Sequence, residues 1–242
     1  MLNYLRGELY RLLHKTSLYV YFGALLVGYL LIVYIRSGGF TAASVVNDAI
    51  TFFNFLPALA GGFLFAAIYT DDLNSRNLTV LVGFGMGKAR IVLTKLIVMI
   101  LLCAVIFGLA PLIHCAAYAV FGWSAQMGDW QMVYAVSLKY LLMTLAFAIL
   151  SAIVVYGTQR TTFSVVCYIL LAFGVISGLM SVLLNTFAPD LIAHLISGIT
   201  DRIILGIISG GSLILPTIEY GVYTLVAIAF SVLAFHKKEM EF

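Results

Sequence analysis

The segment closest to a site for chemistry is residues 83–89, whose sequence GFGMGKA has the composition of a phosphate-binding loop. Such a loop needs four residues between its glycines and a Ser or Thr after the Lys to ligate Mg²⁺. Here three residues separate Gly83 from Gly87, and Ala89 follows Lys88. The pattern therefore argues against a nucleotide site. The glycines more simply let the chain turn into a following helix.

Histidine and cysteine side chains do not predict a catalytic or metal site either. The four histidines are scattered along the chain, at His14, His114, His194 and His236. The three cysteines lie in apolar runs, where a small buried thiol is the expected state, at Cys103, Cys115 and Cys167. We therefore expect no catalytic residue, no bound metal and no cofactor held by this chain.

The amino-acid composition indicates which type of secondary structure positions these residues. Lys, Arg, Asp and Glu make up 23 of 242 residues, or 10%, whereas soluble domains carry about 25%. With 63% hydrophobic residues and a mean hydropathy of +1.11, the chain has too few polar groups to cover a soluble particle. A soluble enzyme and a disordered chain are excluded, and three cysteines are too few for a disulfide scaffold. The long unbroken apolar runs favour helices over a β-barrel.

The chain length and its apolar runs predict one all-α membrane domain, residues 1–242, with six transmembrane helices. Each crossing needs about 20 apolar residues. The predicted spans are residues 17–35, 50–69, 91–121, 132–156, 163–184 and 217–235. A polar loop at 36–48 and a charged connector at 70–90 separate the first three spans. Between spans five and six, charges and glycines in residues 185–216 predict one or two short re-entrant or interfacial helices.

The N-terminal residues 1–16 are interrupted by charges and predict a helix that lies on the membrane surface. Leucines recur every three or four residues and are assigned to one face, with the charges on the other. The leucines of that face are Leu2, Leu5, Leu9, Leu12 and Leu13. A helical cytosolic tail is the alternative.

Basic residues predict that both termini are cytosolic, because loops retained in the cytosol carry excess Lys and Arg. Ten of the 13 basic residues fall on that side: Arg6, Arg11, Lys15, Arg76, Lys88, Arg90, Lys95, Arg160, Lys237 and Lys238. Three fall on the other side: Arg36, Lys139 and Arg202. We expect Lys88, Arg90 and Lys95 to lie at the lipid headgroups.

Two charges fall inside predicted spans, Lys139 in the fourth and Glu219 in the sixth. Ionisable groups in a span are costly and often functional, so the two predict a substrate cavity or an ion pair between them. Both lie near the outer end, where anchoring at the interface is the alternative. Gly174 and Gly178 form a GxxxG pattern that predicts a close helix contact, either between two subunits or within one bundle.

The connector and the start of the third span, TDDLNSRNLTVLVGFGMGKARIVLTKL at 70–96, are similar to the permease subunits of type-2 ABC exporters. Asp71 and Asp72 match the family's acidic pair, and residues 77–82 match its Leu-rich coupling helix. Lys88 and Arg90 match its basic pair, and Lys95 its closing Lys. The sequence differs where many members have a Pro or Ser before the basic pair and a Gly-Thr pair at the start of the helix.

This resemblance implies two such subunits, identical or homologous, around a pathway in the bacterial cytoplasmic membrane. Two cytosolic ABC ATPases would supply ATP and Mg²⁺ chemistry and contact the connector, and no nucleic acid would be involved. The small chain is similar to lantibiotic-immunity and bacitracin-resistance permeases, which implies export of an amphipathic peptide, lipid or drug. The implied contact residues are Asp71, Asp72, Leu73, Arg76, Leu78, Leu81 and Phe84.

Two other functions are compatible with the sequence. An ion-coupled secondary transporter usually carries charges or broken helices at the bilayer midplane, and this chain has almost no charge there. A non-transporting membrane scaffold or sensor partner is the other alternative.

Overall fold

The computed structural model describes residues 2–39, 41–74, 77–121 and 127–237, and these residues form helices without any β-strand. The helices are α1 (Leu2–Leu13), α2 (Thr16–Arg36), α3 (Ala42–Leu56), α4 (Gly62–Phe65), α5 (Asp71–Asn74), α6 (Asn77–Gly83), α7 (Lys88–Val120), α8 (Met127–Thr158), α9 (Thr161–Ala172), α10 (Val175–Phe187), α11 (Ile196–Ser209) and α12 (Ile214–Lys237).

Five helices of the described chain are long and apolar enough to cross a membrane, namely α2, the α3–α4 helix up to Thr70, α7, α8 and α12. The pair α9 and α10 makes a sixth span if it is counted as one broken crossing. The all-α membrane fold predicted from the sequence is therefore confirmed. α8 lies at its centre and packs against α3, α7, α9, α11 and α12.

The second span begins earlier than predicted. Thr41 caps α3: its side chain accepts a hydrogen bond from the Ser44 amide, and the Ser44 hydroxyl accepts one from the Thr41 amide. This capping box starts the helix at Ala42, inside the predicted polar loop. Asp48 therefore lies on a helix, and the predicted loop boundary is wrong.

The second span also contains two π-helical segments, Pro57–Gly61 and Ala66–Thr70. Pro57 has no amide hydrogen and cannot continue the α-helical bonding, which favours a wider turn. Its carbonyl accepts a hydrogen bond from the Tyr168 hydroxyl of α9 at 2.8 Å. The site is tightly packed, because a Cβ atom on Gly61 would lie 2.2 Å from that hydroxyl oxygen. The irregular turns thus hold neighbouring helices to the second span.

The predicted fifth span, residues 163–184, is broken. α9 ends at Ala172, and α10 begins at Val175 with its axis bent by 57°. Gly174 lies in the break with φ of +73°, a left-handed conformation that glycine adopts readily. Gly174 and Gly178 therefore do not form one helical GxxxG face. A Cβ atom on Gly178 would meet nothing within 4 Å, so among the described residues no helix packs closely against it.

Short helices also occupy the predicted re-entrant region, residues 185–216. A 3₁₀ helix covers Pro189–His194, and α11 follows before a left-handed turn at Gly210 leads into α12. The two ends of the helix bundle are named here by the residues that lie at them. The basic end is defined by α1, residues 71–74 and 77–87, and the C-terminal end of α12. The opposite end is defined by Arg36, Asp48 and α11.

Candidate functional site at the basic end

α1 is packed against the bundle through a face that differs from the predicted one. Leu5, Leu9 and Leu12 contact the core, but Leu13 is exposed. Glu8, predicted on the polar face, is buried with an exposed fraction of 7%. The assignment of all charges to the outer face is therefore wrong.

Glu8 is buried because it meets a lysine from the third span. Lys95, expected at the headgroups, is 1% exposed, and its Nζ donates to Glu8 Oε2 at 2.9 Å. The same ammonium donates to the carbonyl oxygen of Ile68 at 3.1 Å, within the second π-helical segment. One buried lysine thus joins α1, the second span and α7.

The charge of Glu8 is maintained by its basic neighbours. Burial by itself raises the pKa of Glu8, but the Lys95 ammonium and the Arg11 guanidinium outweigh it and hold that pKa below its ordinary value. Arg11 donates to Glu8 Oε2 at 2.8 Å. The carboxylate therefore stays ionised at neutral pH.

Two further ion pairs, one from α1 and one from the start of α2, reach the predicted ATPase-coupling segment. Lys15 Nζ lies 2.6 Å from Asp71 Oδ2, and Arg11 lies 3.7 Å from the same oxygen. The Asp71 carboxylate, implied by the resemblance as an ATPase contact, is engaged within the chain. Asp72 lies in α5, and Arg76 is outside the residues that the structure describes.

α6 forms at the predicted coupling helix and has two distinct faces. Leu78 is buried, and Leu81 packs partly buried against the core cluster, as does Leu73 from α5. Val80 and Phe84 point outward, and Phe84 is 86% exposed. The Phe84 amide donates to the Val80 carbonyl at 2.9 Å, so the two residues are one helical turn apart.

A groove about 570 Å³ in volume lies beside α5, between Leu73 and the turn that joins α8 to α9. Gln159 takes a left-handed conformation in this turn, with φ of +55°, and the exposed Arg160 follows it. Sequence reasoning used Arg160 only to orient the chain and did not single out Val80. The four-residue spacing of Val80 and Phe84 was the signal that could have identified the outward face.

Lys88 connects the start of α7 to the end of α12. Its Nζ donates to the Phe235 carbonyl at 2.9 Å and lies 5.3 Å from the centre of the Phe235 ring. A cation at a helix C-terminus is favourable because unpaired carbonyl groups concentrate negative charge there. Lys88 is therefore a link between spans, while Arg90 is exposed.

The two charges predicted inside spans lie toward the opposite end and do not pair with each other. Lys139 is 2.6 Å from Asp201 of α11. Glu219 accepts a hydrogen bond from Arg202 and lies 3.4 Å from His194. The predicted Lys139–Glu219 ion pair is wrong, because residues of the short helices that precede α12 supply both partners.

The opposite end also holds a buried polar cluster that sequence reasoning missed. Asp48 accepts hydrogen bonds from Arg36 and from the Tyr118 hydroxyl, each at 2.5 Å. Nearby, His114 Nδ1 is 2.6 Å from the Tyr29 hydroxyl, and its Nε2 is 3.0 Å from the Val45 carbonyl oxygen. These bonds join α2, α3 and α7.

Comparison with protein-family models and with curated proteins finds no match to this chain. Across the described ranges, no group of three or more His, Cys, Asp or Glu side chains is arranged to hold a metal ion. The basic end is therefore interpreted from its own geometry: an ion-paired assembly of α1, α5 and α7 beside an outward apolar face on α6.

Proposed function

We propose that the chain is the transmembrane subunit of an ATP-driven exporter and that a separate ABC ATPase binds at the basic end. The observation that carries the proposal is the pair Val80 and Phe84, two exposed apolar side chains outside the spans. Apolar side chains exposed together at the surface mark interaction sites. The neighbouring groove at Leu73 and the exposed Arg160 extend this surface.

The contacts of α6 support a route for mechanical coupling. Force applied to Phe84 passes through Leu78 and Leu81 into the core. It also passes through α5 into the second π-helical segment, which directly precedes α5. Lys95 and Glu8 make α1 move with that segment. ATP binding and hydrolysis on the ATPase then change the arrangement of the spans, while this chain binds no nucleotide itself.

In this proposal both termini are cytosolic, α1 lies at the inner membrane surface, and α11 is at the outer side. Two permease subunits, identical or homologous, enclose the pathway, and Gly178 in α10 is a candidate contact because open space surrounds it. Gly174 contributes only the bend. The substrate class is an amphipathic peptide, lipid or drug. The location is a bacterial cytoplasmic membrane, and antibiotic resistance is one role of such exporters.

The experiment compares variants of the outward face with a matched control. Val80→Ser and Phe84→Ser should abolish copurification of an ABC ATPase and lower coupled ATP hydrolysis at least tenfold, with unchanged thermal unfolding. Phe187→Ser at the end of α10 is the control, because Phe187 is equally exposed, at 83%. Leu81 is unsuitable for this test, because it packs within the chain. An ATPase that still copurifies with both variants contradicts the proposed surface.

An ion-coupled secondary transporter is the second candidate, and the buried Asp48 is the observation that favours it. Ionisable groups buried in spans often mark ion or proton routes. Transport that persists without ATP, collapses with the proton gradient and is lost in Asp48→Asn supports this candidate. Transport that requires ATP and survives loss of the gradient supports the exporter.

A further inference from the structure

A cavity of about 150 Å³ lies between α7, α8 and α12, away from the basic-end surface. Its walls are mostly apolar and include Tyr69, Met99, Leu145, Ala148, Tyr220 and Thr224. All of these residues lie in helices long and apolar enough to cross a membrane.

Tyr69 gives the cavity a polar group that the rest of the structure does not use. The residue is 3% exposed, and its hydroxyl takes part in no hydrogen bond among the described residues. The other two hydroxyls in the wall are engaged: Tyr220 donates to the Leu142 carbonyl at 2.8 Å, and Thr224 donates to the Tyr220 carbonyl at 3.0 Å. A hydroxyl without a partner in an apolar cavity is costly, so an occupant that accepts its hydrogen bond is favoured.

The volume limits the size of that occupant. An apolar cavity of about 150 Å³ holds a benzene-sized molecule and otherwise stays dry. A buried water needs two to four polar partners, and one free hydroxyl does not supply them. An apolar ring with one hydrogen-bond acceptor satisfies both the walls and Tyr69.

We propose that this cavity binds a benzene-sized apolar group that carries one hydrogen-bond acceptor, with the Tyr69 hydroxyl as the donor. Tyr69 is adjacent to Ile68, whose carbonyl accepts the Lys95 bond, so the ligand contacts the π-helical segment that leads to α5. The proposal does not depend on an ATPase or on transport, because binding to the purified chain tests it alone.

The test uses ¹⁹F NMR of two probes, 4-fluorobenzyl alcohol and 4-fluorotoluene, with the full chain in detergent micelles. Each probe should give a protein-bound resonance separate from the micelle-dissolved one. In Tyr69→Phe, affinity for the alcohol should fall about fivefold, the effect of one neutral hydrogen bond, while affinity for fluorotoluene stays within about twofold. Ala148→Leu fills the cavity and should remove both bound resonances.

Two further variants keep the test decisive. Thr224→Leu fills the cavity from the facing helix and replaces Ala148→Leu if that protein does not fold. Ala229→Leu adds the same bulk on the exposed side of α12 and should leave binding unchanged. The proposal is overturned if neither probe binds the native chain or if both still bind the filled variants. Equal loss of both probes in Tyr69→Phe overturns the role of the hydroxyl.

Discussion

The two ends of the bundle both use ion pairs to attach short helices, but they differ in burial. At the basic end, Lys95 and Glu8 join α1 to α7 with almost no exposure. At the opposite end, the pair Lys139 and Asp201 attaches α11 to α8, and half of the Asp201 side chain is exposed. Both pairs bridge distant parts of the sequence, so sequence separation does not distinguish them.

Burial is expected to make these pairs unequal in energy. Removing one partner of a buried pair costs about 3–5 kcal/mol, because the remaining charge lies in a medium of low dielectric constant. An exposed pair contributes about 0.2–1 kcal/mol, since water and salt screen it. The attachment of α1 should therefore be firm and that of α11 weak. This suits a proposed role for α1 in transmitting force from the coupling segment.

The largest effect is expected for Lys95→Met. It leaves the Glu8 carboxylate buried with Arg11 as its basic partner, and the free energy of unfolding should fall by about 3 kcal/mol. The measurement is thermal or denaturant unfolding in detergent. Adding Glu8→Leu to Lys95→Met should restore most of the loss, because an apolar pair replaces a buried carboxylate that Arg11 alone compensates only in part. A double variant as unstable as Lys95→Met would show that the cost is steric and not electrostatic.

The effect of pH on the stability that the Glu8–Lys95 pair provides is expected to be smaller than the effect of Lys95→Met. Because the folded-state pKa of Glu8 lies below its ordinary value of 4.5, the ion pair stabilises the protein above that pH. This stabilisation is lost as pH falls through the folded-state pKa. The difference in unfolding temperature between the native chain and Glu8→Gln should therefore shrink on acidification below about pH 4. A difference that stays constant with pH contradicts the assignment.

The third effect is at the opposite end of the bundle, where Asp48→Ala should lower the free energy of unfolding by about 2 kcal/mol. The variant removes the acceptor of the buried Tyr118 hydroxyl, while the half-exposed Arg36 regains water. Hydrogen exchange of α2 should also increase, because little of this helix is buried and polar bonds hold its outer end. Asp190→Ala, at an exposed position, is the control and should change stability by less than about 0.5 kcal/mol.

The sequence predicted what depends on local pattern. Long apolar runs identified the spans, and leucine spacing predicted α1. The helix at α6 was predicted from the resemblance of residues 77–82 to a coupling helix. Glu8 lies three residues after Leu5 and four before Leu12, so helical spacing already put it on their face. Its burial depends on Lys95, 87 residues away, and no local pattern reveals that partner.

The remaining errors have different origins. Asp48 was assigned to a loop although the local capping box of Thr41 and Ser44 begins a helix before it, whereas the burial of its carboxylate depends on the distant partners Arg36 and Tyr118. Lys139 and Glu219 lie toward the end of the bundle opposite α1, and their partners come from a segment without clear periodicity. The break at Gly174 depends on its left-handed backbone conformation. Glycine permits this conformation, but the presence of a glycine in the sequence does not predict it.

The smallest expected effect provides the sharpest test of the comparison between the two ends. Lys139 and Asp201 are 2.6 Å apart, closer than the 2.9 Å between Lys95 and Glu8. If distance determined the strength of an ion pair, Asp201→Asn would lower the free energy of unfolding more than Lys95→Met does. We expect Asp201→Asn to lower it by less than about 1 kcal/mol, because Asp201 remains accessible to water. Raising the salt concentration from about 0.15 M to 1 M shortens the screening length from about 8 to 3 Å, so this small cost should fall further. The cost of Lys95→Met should not change, because ions do not reach a buried pair. Equal costs for the two variants at low salt would mean that burial does not distinguish the ends.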